Sequence, residues 1–229
     1  MRAIADAVNN FLRQYPPSLD IFEHLKAAGN LCLIGGVLRE YKDKGDIRQL
    51  RDIDIIIDIT CEKTWMEFLN KYHPARNSFG GYKVLCQEFI LDVWILKETW
   101  AYREKVIPCD PEDYIRYLPE TVFLNLDGII YDLKNDVWYD QKYQEAVKKN
   151  EIDVVLEKNP QIMLNIIRTF VLKKRYGMSF SERLADIIER EKRRNGCFIN
   201  NLMDVQEERY KKIVIAQREL EQMLNSMKA

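Results

Sequence analysis

Apolar residues recur at helical spacing over residues 3–13 and 19–28, and Pro16-Pro17 lie between the two runs. The pattern predicts two amphipathic helices with the prolines as the break. Asn30–Ile34 reads as a short buried strand, and Gly35-Gly36 as a turn into a helix that reaches about Lys42. Lys44–Leu50 is polar and predicts a loop; Asp52–Ile59 predicts a strand and Glu62–Tyr72 a helix. NSFGGYKVLCQEFILDVWIL predicts a glycine turn and two antiparallel strands, and VFLNLDGIIYDLKNDVWYD a second hairpin turning near Lys134–Asp136. After about Asp140 the period is helical throughout. Pro160–Tyr176, Ser179–Arg194 and Phe198–Ser226 read as helices, with Gly177 and Gly196 placed as C-caps.

These elements imply an α+β protein. An N-terminal lobe with a mixed sheet spans residues 1–140, and an all-helical lobe spans 141–229. No Pro/Gly/Ser-rich linker separates them, so one packed body is expected. At 229 residues the chain is long enough for one good core or two small packed lobes. Its 47% hydrophobic and 31% charged residues are ordinary for a globular protein. No apolar run is long enough to cross a bilayer, so no membrane partner is expected. MRAIADAVNNFLRQYPP carries acidic and amide residues where a signal peptide would be apolar, and a cytoplasmic protein is expected. Cys32, Cys61, Cys86, Cys109 and Cys197 form no CxxC pair and there are two histidines, so a structural zinc site is not expected. Reduced core thiols fit that pattern.

The net charge is −1, but its distribution is uneven. Arg168–Arg194 holds nine Lys/Arg against four Asp/Glu, and Asp110–Lys158 holds twelve acids against six bases. The basic stretch is either a solvated helix face or a surface for a polyanion.

The densest chemistry lies in LIGGVLREYKDKGDIRQLRDIDIIIDI, residues 33–59. Strand side chains alternate, so Asp52 and Asp54 share one face while Ile53, Ile55 and Ile57 share the other. Two neighbouring carboxylates repel unless a cation or proton sits between them. Mg²⁺ takes oxygen ligands and commonly binds through one or two carboxylates plus substrate phosphates. A DxD pair alone is equally the polar face of a half-exposed strand. Three further features point to a metal-bound nucleotide. Gly35-Gly36 opens a helix, where backbone can approach phosphate and N–H groups point outward, with Arg39 one turn in. FILDVWIL places Asp92 inside an apolar strand, where it needs a partner: a metal ion, or a cation such as Lys97 or Arg103. The order of the parts then sets three carboxylates on one sheet opposite a phosphate-binding turn.

GGVLRE followed by RDIDI resembles the signature of the DNA polymerase β-like nucleotidyltransferases, and most nearly that of class II tRNA nucleotidyltransferases and bacterial poly(A) polymerases, GGxVRD and then DxD. LDVWILK is similar to their third-acid strand, with Lys97 where they usually carry arginine. LNLDGIIYD resembles their FTINALAYD segment, with Asn125 and Asp127 at the polar positions, and IIRTFVLKKRYGMSF resembles their LRAxRFAxKLGF helix, with Arg168 as its leading arginine. The resemblance covers roughly residues 30–180. Their Arg-Arg-Asp would fall on Thr121, Val122 and Phe123, and their base-selecting Glu-Asp-x-x-Arg on Gln161, Ile162 and Asn165; neither motif is present. A full tRNA-binding body and tail is not expected to fit.

The resemblance implies a nucleotidyltransferase with two Mg²⁺ (or Mn²⁺) ions among Asp52, Asp54 and Asp92. It implies NTP, ATP included, held by Gly35, Gly36, Arg39, Arg51, Asn125, Asp127 and Arg168. The implied reaction moves a nucleoside monophosphate to an acceptor hydroxyl with loss of pyrophosphate. An RNA acceptor, tRNA among the candidates, would meet Lys173, Lys174 and Arg175 through its backbone. The alternative is a non-catalytic module of this fold, or one that modifies a small molecule or protein, of the kind used in phage defence or toxin–antitoxin pairs. No protein partner is indicated.

Overall fold

The computed structural model describes residues 3–48, 50–77 and 80–227. Gln49, within the expected loop, and Ser78 and Phe79, at the expected glycine turn, lie outside the described residues. The chain divides into two compact units, Met1–Thr121 with Asp127–Gln141, and Val122–Leu126 with Lys142–Ala229.

The first unit contains α1 (Ala3–Arg13), α2 (Pro16–Ala28), β1 (Gly29–Ile34), α3 (Gly36–Lys44), β2 (Asp52–Ile59) and α4 (Glu62–Tyr72). These are followed by β3 (Ala75–Arg76), β4 (Tyr82–Cys86), β5 (Phe89–Ile95), α5 (Trp100–Arg103), α6 (Tyr114–Tyr117), β6 (Ile130–Asp132) and β7 (Val137–Tyr139). The seven strands form one mixed sheet in the order β3-β4-β5-β2-β1-β6-β7. β2 and β5 are parallel, and every other neighbouring pair is antiparallel.

One face of the sheet is closed by helices. α1 buries Ile4, Val8, Phe11 and Leu12, the i, i+4, i+7, i+8 stripe that a helix packed on one side requires. The Phe11 ring meets Phe89 edge-on, centroids 5.0 Å apart. α2 packs on α1, α4 and β1, burying Ile21, Phe22, Leu25 and Ala28. Beneath this layer Ile53, Ile55 and Ile57 are fully buried. Burial of each contributes about 2 kcal/mol, or about 6 together, an upper figure because the unfolded chain is itself partly collapsed. Two like charges two residues apart on one strand, about 6.6 Å, cost about 0.6–2.5 kcal/mol at effective dielectrics of 20–80. The apolar face therefore sets the register of β2, and the aspartates on its back follow.

The opposite face is covered over part of its length. Cys32, Ile56 and Ile130 are packed there with Leu96, Tyr102 and Leu118, supplied by the segment containing α5 and α6. Tyr102 stacks on Tyr114 with ring centroids 4.0 Å apart and donates its hydroxyl to the Tyr114 carbonyl at 2.5 Å.

The second unit contains α7 (Gln141–Lys149), β8 (Glu151–Ile152), α8 (Ile162–Tyr176), β9 (Ser179–Phe180), α9 (Glu182–Arg194), α10 (Phe198–Tyr210) and α11 (Gln217–Ser226). Ile166, Ile167, Phe170, Leu184, Ile188, Leu202 and Leu220 form its core. Besides its helices it carries the parallel pair β8–β9.

Several boundaries differ from the sequence reading. Pro16 and Pro17 stand in the first turn of α2 and do not separate it from α1; the missing N–H groups there have no intrahelical role. Ser179–Phe180 is strand, and Ser181 caps α9 by accepting from Leu184 N at 3.1 Å. Gly177 caps α8 in the left-handed region, whereas Asn195 and not Gly196 caps α9. The expected helix over Phe198–Ser226 is two helices. Lys211 turns left-handed, and the buried Gln206 amide holds the connection, accepting from Val214 N and Ile215 N and donating to Ile215 O. The expected second hairpin begins at Ile130; the residues before it leave the sheet, with Leu124 bridging Val154 in the second unit. The cysteines are reduced, but Cys197 is exposed and Cys61 and Cys109 half-buried, so only Cys32 and Cys86 are core thiols. Burial pushes both of those thiols up, Cys86 to about 11. No helix is long and apolar enough to cross a membrane among the described residues.

Candidate active site

A single row of side chains crosses four strands of the first unit. Ile34 of β1 pairs with Asp54 of β2, Asp54 with Asp92 of β5, and Asp92 with Lys83 of β4. Directly paired residues point to the same face, so two carboxylates and one ammonium stand side by side. Asp52, two residues before Asp54, shares that face.

The row ends beside the Gly35 turn. β1 stops at Ile34, and Gly35 adopts φ +66°, ψ −121°, a conformation closed to residues with a Cβ. A Cβ built on Gly35 would lie 3.8 Å from Oδ2 of Asp54, which places the turn against the carboxylate. Gly35 donates to Ile129 O at 3.3 Å and its carbonyl accepts from Arg39 N at 3.1 Å, starting α3. The first N–H groups of a helix have no intrahelical acceptor and lie at its positive end, so this turn is suited to an anion.

Asp52 and Asp92 are each held by a basic side chain. Arg51 donates to Oδ2 of Asp52 through Nε at 2.9 Å and Nη2 at 2.5 Å; Arg51 is largely exposed. Lys83 Nζ lies 2.8 Å from Oδ1 and 2.9 Å from Oδ2 of Asp92, hydrogen-bonded to the latter, so Oδ1 takes charge but no hydrogen bond. Asp92 is 6% exposed, and Lys83 is the partner its burial demanded. Lys97 and Arg103, the partners expected from the sequence, lie instead against Glu62 and Glu104. The sequence does hold a signal for Lys83. A two-residue loop at Gln87-Glu88 pairs Cys86 with Phe89, and three steps back the same hairpin pairs Lys83 with Asp92.

Arg39 and Asp127 form an ion pair in the same unit, with side chains 7% and 13% exposed. The pair ties the first turns of α3 to Asp127. A Cβ on Gly36 would lie 3.9 Å from Nη2 of Arg39, so the guanidinium lies alongside the glycine turn.

The remaining expected site residues belong to the second unit. Asn125 is buried, donating to Glu151 O at 3.0 Å and accepting from Leu126 N at 2.9 Å. Arg168 is half-buried on α8. Lys173 donates to Met178 O at 3.2 Å and lies 4.6 Å from the Phe180 ring centroid, which closes the C-terminus of α8. Lys174 pairs with Glu219 at 2.8 Å, and Arg175 lies over Tyr176.

Asp54 and Asp92 offer hard oxygen donors in adjacent positions, and Oδ1 of Asp92 accepts no hydrogen bond. Their chemistry fits a Mg²⁺-type ion, which needs only one or two carboxylates when phosphates and water complete its shell. Among the described residues no three acidic, histidine or cysteine side chains are gathered as a ready metal cage. Arg51 and Lys83 hold two of the three acids instead.

Sequence comparison finds no matching family model and no significantly similar curated protein. The fold, in contrast, is similar to that of several solved structures. A CCA-adding enzyme solved with ATP superposes with a TM-score of 0.62 at 14% identity, over 96% of this chain and 54% of that one. An apo CCA-adding enzyme gives 0.61 at 16%, over 96% and 54%. A tRNA nucleotidyltransferase complexed with a primer tRNA and an incoming ATP analog gives 0.55 at 14%, over 82% and 54%. The chain thus shares the fold of these CCA-adding and tRNA nucleotidyltransferase structures. It spans about half the length of the structures it matches.

Proposed function

We propose that the protein transfers a nucleoside monophosphate from an NTP to an acceptor hydroxyl, with RNA as the acceptor. The observation that carries this reading is the Gly35 turn set against Asp54, with Asp92 in register beside it. The turn and the start of α3 bind the β- and γ-phosphates through backbone N–H groups. Arg39, held by Asp127, lies alongside that turn and braces it. Asp54 and Asp92, with Asp52 once Arg51 turns aside, would hold Mg²⁺ or Mn²⁺. When bound, such an ion neutralises phosphate charge and makes the acceptor hydroxyl more acidic. The hydroxyl oxygen forms a bond to the α-phosphorus as the bond to the β-phosphate oxygen breaks. Pyrophosphate leaves with that electron pair, and Asp92 takes the hydroxyl proton.

A second reading has one observation in its favour. Arg51 on Asp52 and Lys83 on Asp92 neutralise two acids without any metal, as suits a module that binds nucleotide and does not turn it over. One experiment separates the two: labelled NTPs are incubated with the protein, Mg²⁺ or Mn²⁺, and total cellular RNA. Label in RNA together with pyrophosphate release, both lost in Asp54→Ala, supports transfer. Nucleotide binding without pyrophosphate release supports the second reading.

A further inference from the structure

Lys83 is a residue the transfer chemistry above does not use, yet it is in direct contact with a carboxylate of the row. Its ammonium lies 2.8 and 2.9 Å from the two oxygens of Asp92. The two partners differ sharply in exposure: the Asp92 side chain is 8% exposed and that of Lys83 is 44%. Asp92 is fixed in the sheet, while Lys83 is half-exposed on a flexible stem, so its ammonium can move into water when another cation takes its place on the carboxylate. A divalent ion shared by Asp54 and Asp92 would sit within contact of the same oxygens, and two cations cannot share them closely without strong repulsion. We propose that Lys83 is a resident cation that competes with the divalent ion for Asp92. The nucleotide-free site then holds metal weakly, and metal loading is coupled to NTP, whose phosphates bring the ion and give the displaced ammonium a new anionic partner.

This rests on the reading of Asp54 and Asp92 as metal ligands, and the test keeps the two ideas apart. Mn²⁺ binding to the nucleotide-free protein is measured by electron paramagnetic resonance of free Mn²⁺, alongside melting temperature with and without Mn²⁺. Lys83→Met is expected to bind Mn²⁺ at least about tenfold more tightly than wild type, the scale on which a neighbouring charge shifts ion affinity at a carboxylate. Its melting temperature is expected to fall without metal and to recover with Mn²⁺, because the ion takes the place of the ammonium. Lys83→Arg keeps the cation and is expected to match wild type. Equal Mn²⁺ affinity in wild type and Lys83→Met, with binding abolished in Asp92→Asn, overturns the role of Lys83 and leaves the metal site standing. A Lys83→Met protein that stays unfolded in Mn²⁺ also overturns it. If no Mn²⁺ binds to wild type, to Lys83→Met, or to either with NTP, the metal site itself fails and the proposal falls with it.

Discussion

Arg39 shows how one residue can be read two ways from its surroundings. One turn into a helix after two glycines, it has the placement of a phosphate contact. In the fold its guanidinium is committed to Asp127, both side chains nearly out of water. Removing one partner of such a pair strands the other charge. Arg39→Ala is therefore expected to lower stability by about 3–5 kcal/mol, measured by urea unfolding, and to weaken nucleotide binding only as a consequence. A variant as stable as wild type would return Arg39 to the phosphates. Cys61 is a second case. Its Sγ lies 3.1 Å from Thr64 Oγ1, just before the first turn of α4, and hydrogen bonds from Thr64 side chain and backbone hold its thiol below the usual range. Burial pushes Cys32 and Cys86 the other way. With more thiolate at neutral pH, Cys61 should be alkylated by iodoacetamide well before either of those two, as followed by mass spectrometry of the intact and digested protein.

At the level of elements, the junctions carry more information than the helices and strands they join. The Gly35 backbone stands where only glycine is at ease, while a Cβ there would meet nothing closer than 3.8 Å. Strain and not collision should then govern Gly35→Ala, at about 1–3 kcal/mol. The turn is expected to relax away from Asp54, with NTP binding reduced more than the melting temperature suggests; unaltered NTP binding would remove the turn from the site. The connection between α10 and α11 depends on Gln206, fully buried and bonded to two N–H groups and one carbonyl. Gln206→Leu keeps the volume but leaves those groups without a partner, at an expected cost of about 2–5 kcal/mol. Hydrogen exchange should show reduced protection at Val214 and Ile215 before it reaches the rest of the second unit.

Across the whole molecule the charge is nearly balanced, so any polyanion must be held by a local surface. In the second unit Lys173 closes α8 against Met178 and Phe180, and its replacement would disturb folding as well as binding. Lys174 and Arg175 are exposed at the same helix end and are the better probes of an RNA-binding surface. If RNA is the acceptor, Lys174→Glu with Arg175→Glu should reduce its affinity. The slope of log affinity against log salt should also flatten, by about 0.7 for each single-strand phosphate that is no longer neutralised. NTP binding should be unchanged. RNA affinity that ignores both the charge reversal and the salt would point to a different acceptor.

Some of this was settled by the chain itself. Alternation along Asp52–Ile59 puts the aspartates on one face and the isoleucines on the other, whatever the strand pairs with, because successive side chains in a strand point in opposite directions. The same local logic reached the α+β class, the glycine turn into α3, β4 with β5 as a hairpin, and the carboxylate at Asp92 needing a cation. Which cation it meets was decided by register, and only the short loop of the hairpin made Lys83 recoverable from sequence. The parallel pairing of β2 with β5 joins strands separated by the whole of α4 and β4, and no local period specifies it. The union of Arg39 with Asp127 is likewise a choice between distant residues, and the amide of Gln206 breaks an otherwise helical run by bonding to backbone eight and nine residues on. Periodicity tells which face of an element is apolar; what stands on the other face, and against which neighbour, is fixed only when the sheet and the helices close over a shared core.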